Sequence, residues 1–314
     1  MSFKKVYLIT GATGFIGSCL LRKLVEKNEK VHVILRKNAN LWRVKDLLPK
    51  IKVHIDDLAD AAKLAKLAGK IKPDIIFHLA TYGAYPTQND GDLCIDTNLR
   101  GTWNLLKATA KIDYELLVNT GSSSEYGFKR APMKENDYLE PASYYAVTKS
   151  SQTLLSSYFA RENKKPVVTL RPFSVYGPYE EKSRFIMTLM KSIYLRQKMD
   201  LVAPDISRDW IYMDDMVDAY LLIDKLKKYR GEVFNIGTGT QSSIKEVVLL
   251  ATEVIGQSTE FAWGKMKNRK WDSSYWVADI TKAKKYLKWG PKIDLRQGLL
   301  LTWNWLRENA GYYL

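Results

Sequence analysis

Two cysteines, Cys19 and Cys94, are all that 314 residues contain. Both fall inside apolar or helix-like stretches, so a disulfide framework is excluded and reduced, structural thiols are expected. No apolar run approaches the roughly 18–20 residues that cross a bilayer. No basic-then-apolar-then-small leader pattern runs into the first strand. Repeats, low-complexity tracts and long linkers are missing, and so is any stacking-aromatic RNA motif. These absences predict a cytoplasmic protein with no membrane partner. Acids are the scarcer charge: 34 Asp and Glu stand against 49 Lys and Arg, for a formal net charge of +15. The bases are spread along the whole chain, densest at Lys265-Met266-Lys267-Asn268-Arg269-Lys270. Such a spread reads as solvated surface charge and a field that attracts anionic small molecules. Nucleic acid is not expected as a partner.

What is present begins with Thr10-Gly11-Ala12-Thr13-Gly14-Phe15-Ile16-Gly17. An apolar run, Val6-Tyr7-Leu8-Ile9, precedes it and a helix-like stretch from Ser18 follows. Strand, glycine-rich turn and helix in that order build a dinucleotide site. Gly11 allows the tight turn, Gly14 lets the backbone approach a pyrophosphate, and Gly17 lets the helix pack on the strand. Free N–H groups at the helix start then face the phosphates.

Further strands are expected at 31–35, 52–55, 75–79, 115–119 and 167–170, with helices at 93–110 and 144–161. Alternation of this kind implies a parallel sheet covered on both faces. After Arg171 the pattern loosens into helices at 185–196, 213–229, 244–255 and 295–307, with a short strand at 233–236. The fold class is α/β: a Rossmann-type doubly wound parallel sheet at 1–171 and a smaller mixed α/β substrate-binding region at 172–314, some of whose chain crosses back to the sheet.

The second strand runs into Arg36-Lys37-Asn38, where an NAD site usually places an acid on the ribose 2′-OH. A base there suits a 2′-phosphate, so NADP is the expected cofactor and NAD the second reading. Asp57 stands where an acid would meet an adenine amino group. Tyr145 and Lys149 are four apart, hence one turn apart on one helix face. A nearby ammonium lowers a tyrosine pKa from about 10 toward the working range. Such a tyrosine passes a proton to or from a hydroxyl as hydride moves at a nicotinamide. Upstream, Gly121-Ser122-Ser123-Ser124-Glu125-Tyr126-Gly127 follows the fifth strand, where hydroxyls reach a ligand crevice.

Together these motifs resemble the extended short-chain dehydrogenase/reductase family, in particular its nucleotide-sugar enzymes. The resemblance also rests on His78-Leu79-Ala80, Asn98 with Gly101-Thr102, Arg171-Pro172-Phe173-Ser174-Val175-Tyr176-Gly177-Pro178, and Arg208-Asp209-Trp210-Ile211-Tyr212. It implies a catalytic set of Ser122, Tyr145 and Lys149. It implies cofactor contacts from Gly11, Thr13, Gly14, Phe15, Ile16, Gly17, Arg36, Asp57, Leu58, Leu79, Ala80, Thr81 and Asn98, with Tyr145 and Lys149. A nucleotide-diphosphate sugar would be held by Thr81, Ser123, Ser124, Ser174, Arg208 and Arg269. No metal is implied. Relatives commonly form homodimers through two helices, for which Leu99, Trp103, Leu106, Leu154, Leu155 and Tyr158 offer an apolar seam.

Two departures matter. The usual Asn of the Arg-x-x-Asn-x-Tyr-Gly-Pro pattern is Ser174. The acid of sugar 4,6-dehydratases has Ser124 in its place, and Glu125 aligns only if the loop is one residue shorter. Dehydration is therefore disfavoured, leaving reduction and epimerisation at C4. The loop details look closest to reductases of CDP- or GDP-linked 4-keto-6-deoxyhexoses. The alternatives are a 4-epimerase with bound NAD and a non-catalytic nucleotide-sensing or RNA-binding relative. Such relatives commonly lose the Tyr or the Lys, and both are kept here.

Overall fold

The computed structural model describes residues 4–85, 87–268 and 272–313. The chain divides into two compact units. The first runs to Gly127 and adds Tyr138–Arg171 and Val217–Phe234; the second takes Phe128–Asp137, Pro172–Met216 and the chain from Asn235.

The first unit opens with β1 (Val6–Thr10), α1 (Phe15–Glu26), β2 (Lys30–Leu35) and β3 (Lys52–Ile55). It continues with α2 (Ala61–Ile71), β4 (Ile75–His78), α3 (Gly91–Cys94) and α4 (Gly101–Thr109). Then come β5 (Leu116–Thr120), α5 (Tyr144–Glu162) and β6 (Val167–Pro172). The sheet order is β3-β2-β1-β4-β5-β6, closed at the far edge by the strand Val233–Ile236. Pairing is parallel, with Tyr7 opposite Val31 on one side and Ile75 on the other. Helices on both faces bury the inner strands completely, which is why β4 and β5 are buried along their whole length and do not alternate. The order reverses at β1 and β4, and the crevice outside the carboxyl ends of those strands is where such sheets bind ligands.

Leu8, Ile34, Ile76, Leu105, Leu106, Leu117 and Phe159 form one apolar core. Each such side chain contributes roughly 1.5–3 kcal/mol by leaving water. Leu106 is 1% exposed and belongs to this core, so it is removed from the expected seam between subunits. Leu155 packs against the same cluster. Trp103, Leu154 and Tyr158 remain exposed, joined by Val147.

Three boundaries differ from the sequence expectation. The helix expected at 93–110 is α3 and α4 joined by a π-helical turn, Ile95–Arg100. The helix expected at 213–229 is two pieces, Met213–Tyr220 and Ile223–Leu226. α2 was not foreseen; Asp60 caps it by accepting from Lys63 N, and Leu64 and Ala68 face inward.

In the second unit the strands Ser174–Tyr176 and Trp210–Tyr212 pair in parallel. The helix Ile244–Ile255 starts at a Ser243/Glu246 capping box and stops at Gly256, whose φ is +70°. The helix Leu295–Glu308 starts at the Asp294 cap. Gly298 lies on it where a Cβ would stand 2.0 Å from the Tyr176 hydroxyl, so only glycine fits.

Candidate functional site

The glycine turn closes against the next strand. A Cβ on Gly11, whose φ is +74°, would fall 2.4 Å from Ala80 N, and one on Gly17 would fall 2.2 Å from Gly11 O. Both positions are closed to any side chain. A Cβ on Gly14 meets only Gly11 O, at 3.3 Å, and otherwise enters open space. α1 begins there with no side-chain cap. An uncapped helix start fronted by a space that a Cβ would fill fits a dinucleotide pyrophosphate. Arg43 ends the stretch Asn40-Leu41-Trp42-Arg43, one of those that resemble reductases, and the sequence gives it no role of its own. It is 6% exposed, stacks on Trp42 at 4.4 Å and reaches the carbonyl of Thr13 at 3.5 Å.

A cleft of about 710 Å³ lies beyond the ends of β2 and β3, lined by Arg36, Lys37, Asp56, Asp57, Asp60 and Lys63 among others. Arg36 and Asp57 thus meet in one place, as their expected roles require. Asp57 also accepts from Ala59 N at 2.9 Å. Leu58 is nearly buried, and its carbonyl accepts from Asn104 at 2.9 Å.

Past β4, a directed hydrogen-bond chain crosses the unit. Ala80 N–H donates to Thr10 Oγ1 at 3.4 Å, and Thr10 lies 2.7 Å from His78 Nδ1. His78 Nε2 lies 2.8 Å from Thr102 Oγ1, which donates to Asn98 O at 2.6 Å. Thr102 spends its proton on that carbonyl, so Nε2 carries the imidazole proton and Nδ1 accepts from Thr10. Burial, with the Lys149 charge second, pushes His78 down to about 3, which keeps it neutral.

Asn98 is fully buried. Its Oδ1 accepts from Thr81 Oγ1 at 3.0 Å and Tyr82 N at 2.8 Å. Its Nδ2 donates to Tyr82 O at 2.8 Å and Thr148 Oγ1 at 2.9 Å. All four of its hydrogen-bonding positions are therefore used inside the unit. Asn98 acts on the 81–83 loop as a clamp, and Thr81 stays exposed at the loop's start. Leu79 donates its N–H to Thr10 O at 3.0 Å, which sets the same loop. Gly83, with φ of +96°, is where a Cβ would crowd Cys94 Sγ at 2.8 Å and Tyr145 Cβ at 3.0 Å. It is the surface on which the Tyr145 ring rests.

After β5 the chain turns into a short 3₁₀ helix, Ser123–Tyr126, capped by Ser122. Ser122 Oγ accepts from Ser124 N at 3.1 Å, leaving its own proton to donate. Ser123 is buried and Ser124 half-buried. Glu125 is 0% exposed and both of its carboxylate oxygens are engaged by buried donors, which argues against it as a stand-in acid for dehydration. Its Oε2 lies 2.8 Å from both Nε and Nη2 of Arg171. A Cβ on Gly121 would sit 2.6 Å from its Oε1, so the loop glycine makes room for the acid.

Tyr145 and Lys149 share α5, which Ser143 caps by accepting from Ala146 N at 3.1 Å. Tyr145 is half-buried, while Tyr144 is 68% exposed and turned away. Lys149 is 2% exposed and donates to Thr120 O and, at 2.5 Å, to Gln152 Oε1. Gln152 passes the contact to Asn119 Oδ1 at 2.7 Å. Burial pushes the Lys149 ammonium down to about 8, against the upward pull of Glu125. Tyr220, also buried, lies 2.6 Å from Thr120 Oγ1.

In the second unit Arg208 donates to Asp272 at 2.7 Å and to Ser207 O at 2.7 Å, and lies over the Trp276 ring at 5.2 Å. Asp209 is buried beside it, accepting from Thr238 N, Thr238 Oγ1, Gly239 N and Ala278 N. Ser174 is half-buried and donates its N–H to Asp209 O at 2.9 Å. Arg269 lies outside the described residues.

A family model described as the NAD dependent epimerase/dehydratase family matches residues 7–237. The chain is 29% identical to UDP-glucuronate 4-epimerase of Thermodesulfobacterium geofontis over 96% of each protein. The solved UDP-glucose 4-epimerase of Thermotoga maritima with UDP-glucose superposes with a TM-score of 0.88 at 27% identity, covering 97% of this chain and 99% of that one. UDP-glucuronic acid 4-epimerase of Bacillus cereus with UDP-glucuronic acid and NAD gives a TM-score of 0.87 at 27% identity, with the same coverage of both chains. Among the described residues no helix is long and apolar enough to cross a membrane.

Proposed function

Given that the chain belongs to the NAD dependent epimerase/dehydratase family, we propose that it is a nucleotide-sugar 4-epimerase that retains NAD and acts on a UDP-hexose or UDP-hexuronate. The observation that carries the reading is local. Ser122 and Lys149 are tied to one strand end, because Lys149 donates to the carbonyl of Thr120, two residues before Ser122, and Tyr145 stands one turn before Lys149. The full-length likeness to 4-epimerases supports the reaction over the 4-ketoreductase expected from the sequence, which rested on short loop resemblances.

NAD, when bound, supplies reversible acceptance of hydride, so no reductant is consumed overall. Tyr145 takes the proton of the sugar's C4 hydroxyl as that carbon is oxidised and returns it on reduction. Ser122 Oγ, already accepting from Ser124 N–H, donates to the same oxygen. The positive charge of Lys149 favours the Tyr145 phenolate. Within the second unit, Arg208 is the candidate for the substrate's diphosphate, and Asp272 is the anion that it would exchange for it.

The adenosine cleft supports NAD over NADP. Arg36, Lys37 and Lys63 are matched there by Asp56, Asp57 and Asp60. A 2′-phosphate would bring further negative charge beside three carboxylates. The test is incubation of purified protein with UDP-glucose or UDP-glucuronate and no added cofactor, followed by separation of the 4-epimers. The expected result is the epimer together with NAD released on denaturation. Net consumption of NADPH without any epimer would return the reductase reading.

A further inference from the structure

Glu125 is a buried acid for which the proposed reaction has no step, and its surroundings single it out. Four donors converge on its carboxylate: Arg171 Nε and Nη2 at 2.8 Å, Ser122 N–H at 2.7 Å and Thr153 O–H at 3.0 Å. A set made only of donors is what an anion accepts, and an acid proton would have no partner in it. Burial pushes the Glu125 carboxyl up, and Arg171, Ser122 N–H, Lys149 and Thr153 all oppose it.

We propose that Glu125 is a positioning residue for the catalytic set, holding the backbone of Ser122 and supplying the buried negative charge that Lys149 faces. The first half is geometric. The Ser122 N–H to Glu125 Oε1 bond fixes the residue whose Oγ the reaction needs, and the matching Ser122 Oγ to Ser124 N bond completes the turn. The second half follows from the partners of Lys149. Its direct acceptors, Thr120 O and Gln152 Oε1, are both neutral. The other titratable or charged groups around it are His78, kept neutral by burial, Tyr145 on its own helix, Tyr220 beside Thr120, and the cation Arg171. Glu125 is the carboxylate whose charge favours the ammonium. A carboxylate 24 positions earlier in the chain thus sets how strongly Lys149 acts on Tyr145.

The proposal rests on the reading of Tyr145 and Lys149 as the proton-transfer pair, so the experiment tests the two separately. The UDP-sugar turned over best is assayed across pH with wild type, Tyr145→Phe, Glu125→Gln, Thr153→Val and the double variant Glu125→Gln/Arg171→Met. The double variant removes the cation that Glu125→Gln would leave unpaired, and keeps the measurement open if the single variant fails to fold. The expected result for either Glu125 variant is a kcat–pH profile cut short on its alkaline side. That limb moves down because Lys149 sheds its proton earlier, while the acid limb, where Lys149 stays charged, does not move up. At pH 7, kcat falls tenfold or more with KM little changed. Thr153→Val, which removes a neutral donor and leaves the charge, keeps the wild-type limbs. Wild-type limbs in a folded, NAD-binding Glu125 variant overturn the proposal. Wild-type turnover by Tyr145→Phe overturns the underlying reading instead.

Discussion

His78 Nδ1 sits 2.7 Å from Thr10 Oγ1 across the β1–β4 pair, in the middle of a chain of bonds that ends on Asn98. The imidazole must stay neutral to accept there. His32 behaves alike: burial, helped by His54 and nearby lysines, brings it down to about 4, and its Nδ1 lies 2.9 Å from His54 Nε2. His54 is lowered too. Depressed folded-state values mean that this stability is fully present above about pH 6.5 and is lost as pH falls toward 4 and then 3. Thermal midpoints are expected to be level above neutrality and to fall on acidification, at about 1.4 kcal/mol per pH unit for each proton taken up. His32→Leu, measured by calorimetry across pH, should make the fall above pH 4 shallower, leaving the share that His54 and His78 contribute.

The two inner glycines of the turn should separate binding from folding. Gly14→Val adds bulk in open space, so NAD affinity by titration calorimetry should fall at least tenfold while the thermal midpoint holds. Gly17→Ala drives a Cβ against Gly11 O, so the midpoint itself should drop. Equal NAD affinity in wild type and Gly14→Val would remove the pyrophosphate from this turn.

Tyr145→Phe keeps the ring on Gly83 and removes only the transferable proton. A loss of roughly 10²–10⁴-fold in kcat is expected, with NAD retained. Lys149→Met should cost a similar factor, and its buried position means that folding must be checked by circular dichroism alongside.

Arg36→Asp reads the charge balance of the cleft that Arg36 shares with Asp57. If NAD is the cofactor, this variant should retain NAD and reject NADP further. Strong NADP binding by wild type that is lost in Arg36→Asp would instead mark a 2′-phosphate site.

A homodimer should form through the exposed stripe Trp103, Val147, Leu154 and Tyr158. Light scattering at micromolar concentration should give twice the mass of the chain, and Leu154→Glu should give the single mass. A wild-type monomer would refute the seam.

The glycine turn, the parallel sheet and the Tyr145–Lys149 spacing were legible because their signals are local: a turn between strand and helix, short unbroken apolar runs, two side chains one turn apart. α2 was legible and missed, since Asp60 is a good cap and Leu64 and Ala68 have helical spacing. Glu125 was open to misreading. In the sequence it is an acid beside a serine loop, and its partner Arg171 is 46 positions away, brought close only by the β5–β6 pairing. Asn98 was read as a ligand contact because nothing in its neighbours reveals that four internal bonds use it up.

The wide turn at Ile95–Arg100 fixes the length of its helix to the residue. A π-helical turn holds one residue more than an α-turn, and such turns are frequent at functional sites. Removing Leu99 or Arg100, the residues between Asn98 and α4, would restore regular α-geometry and suit the helix taken alone. It would also turn Asn98 by about 100° relative to α4. The side chain would then leave Thr81, Tyr82 and Thr148 without its four bonds. This stretch should accept many substitutions at its exposed positions and no deletion at all.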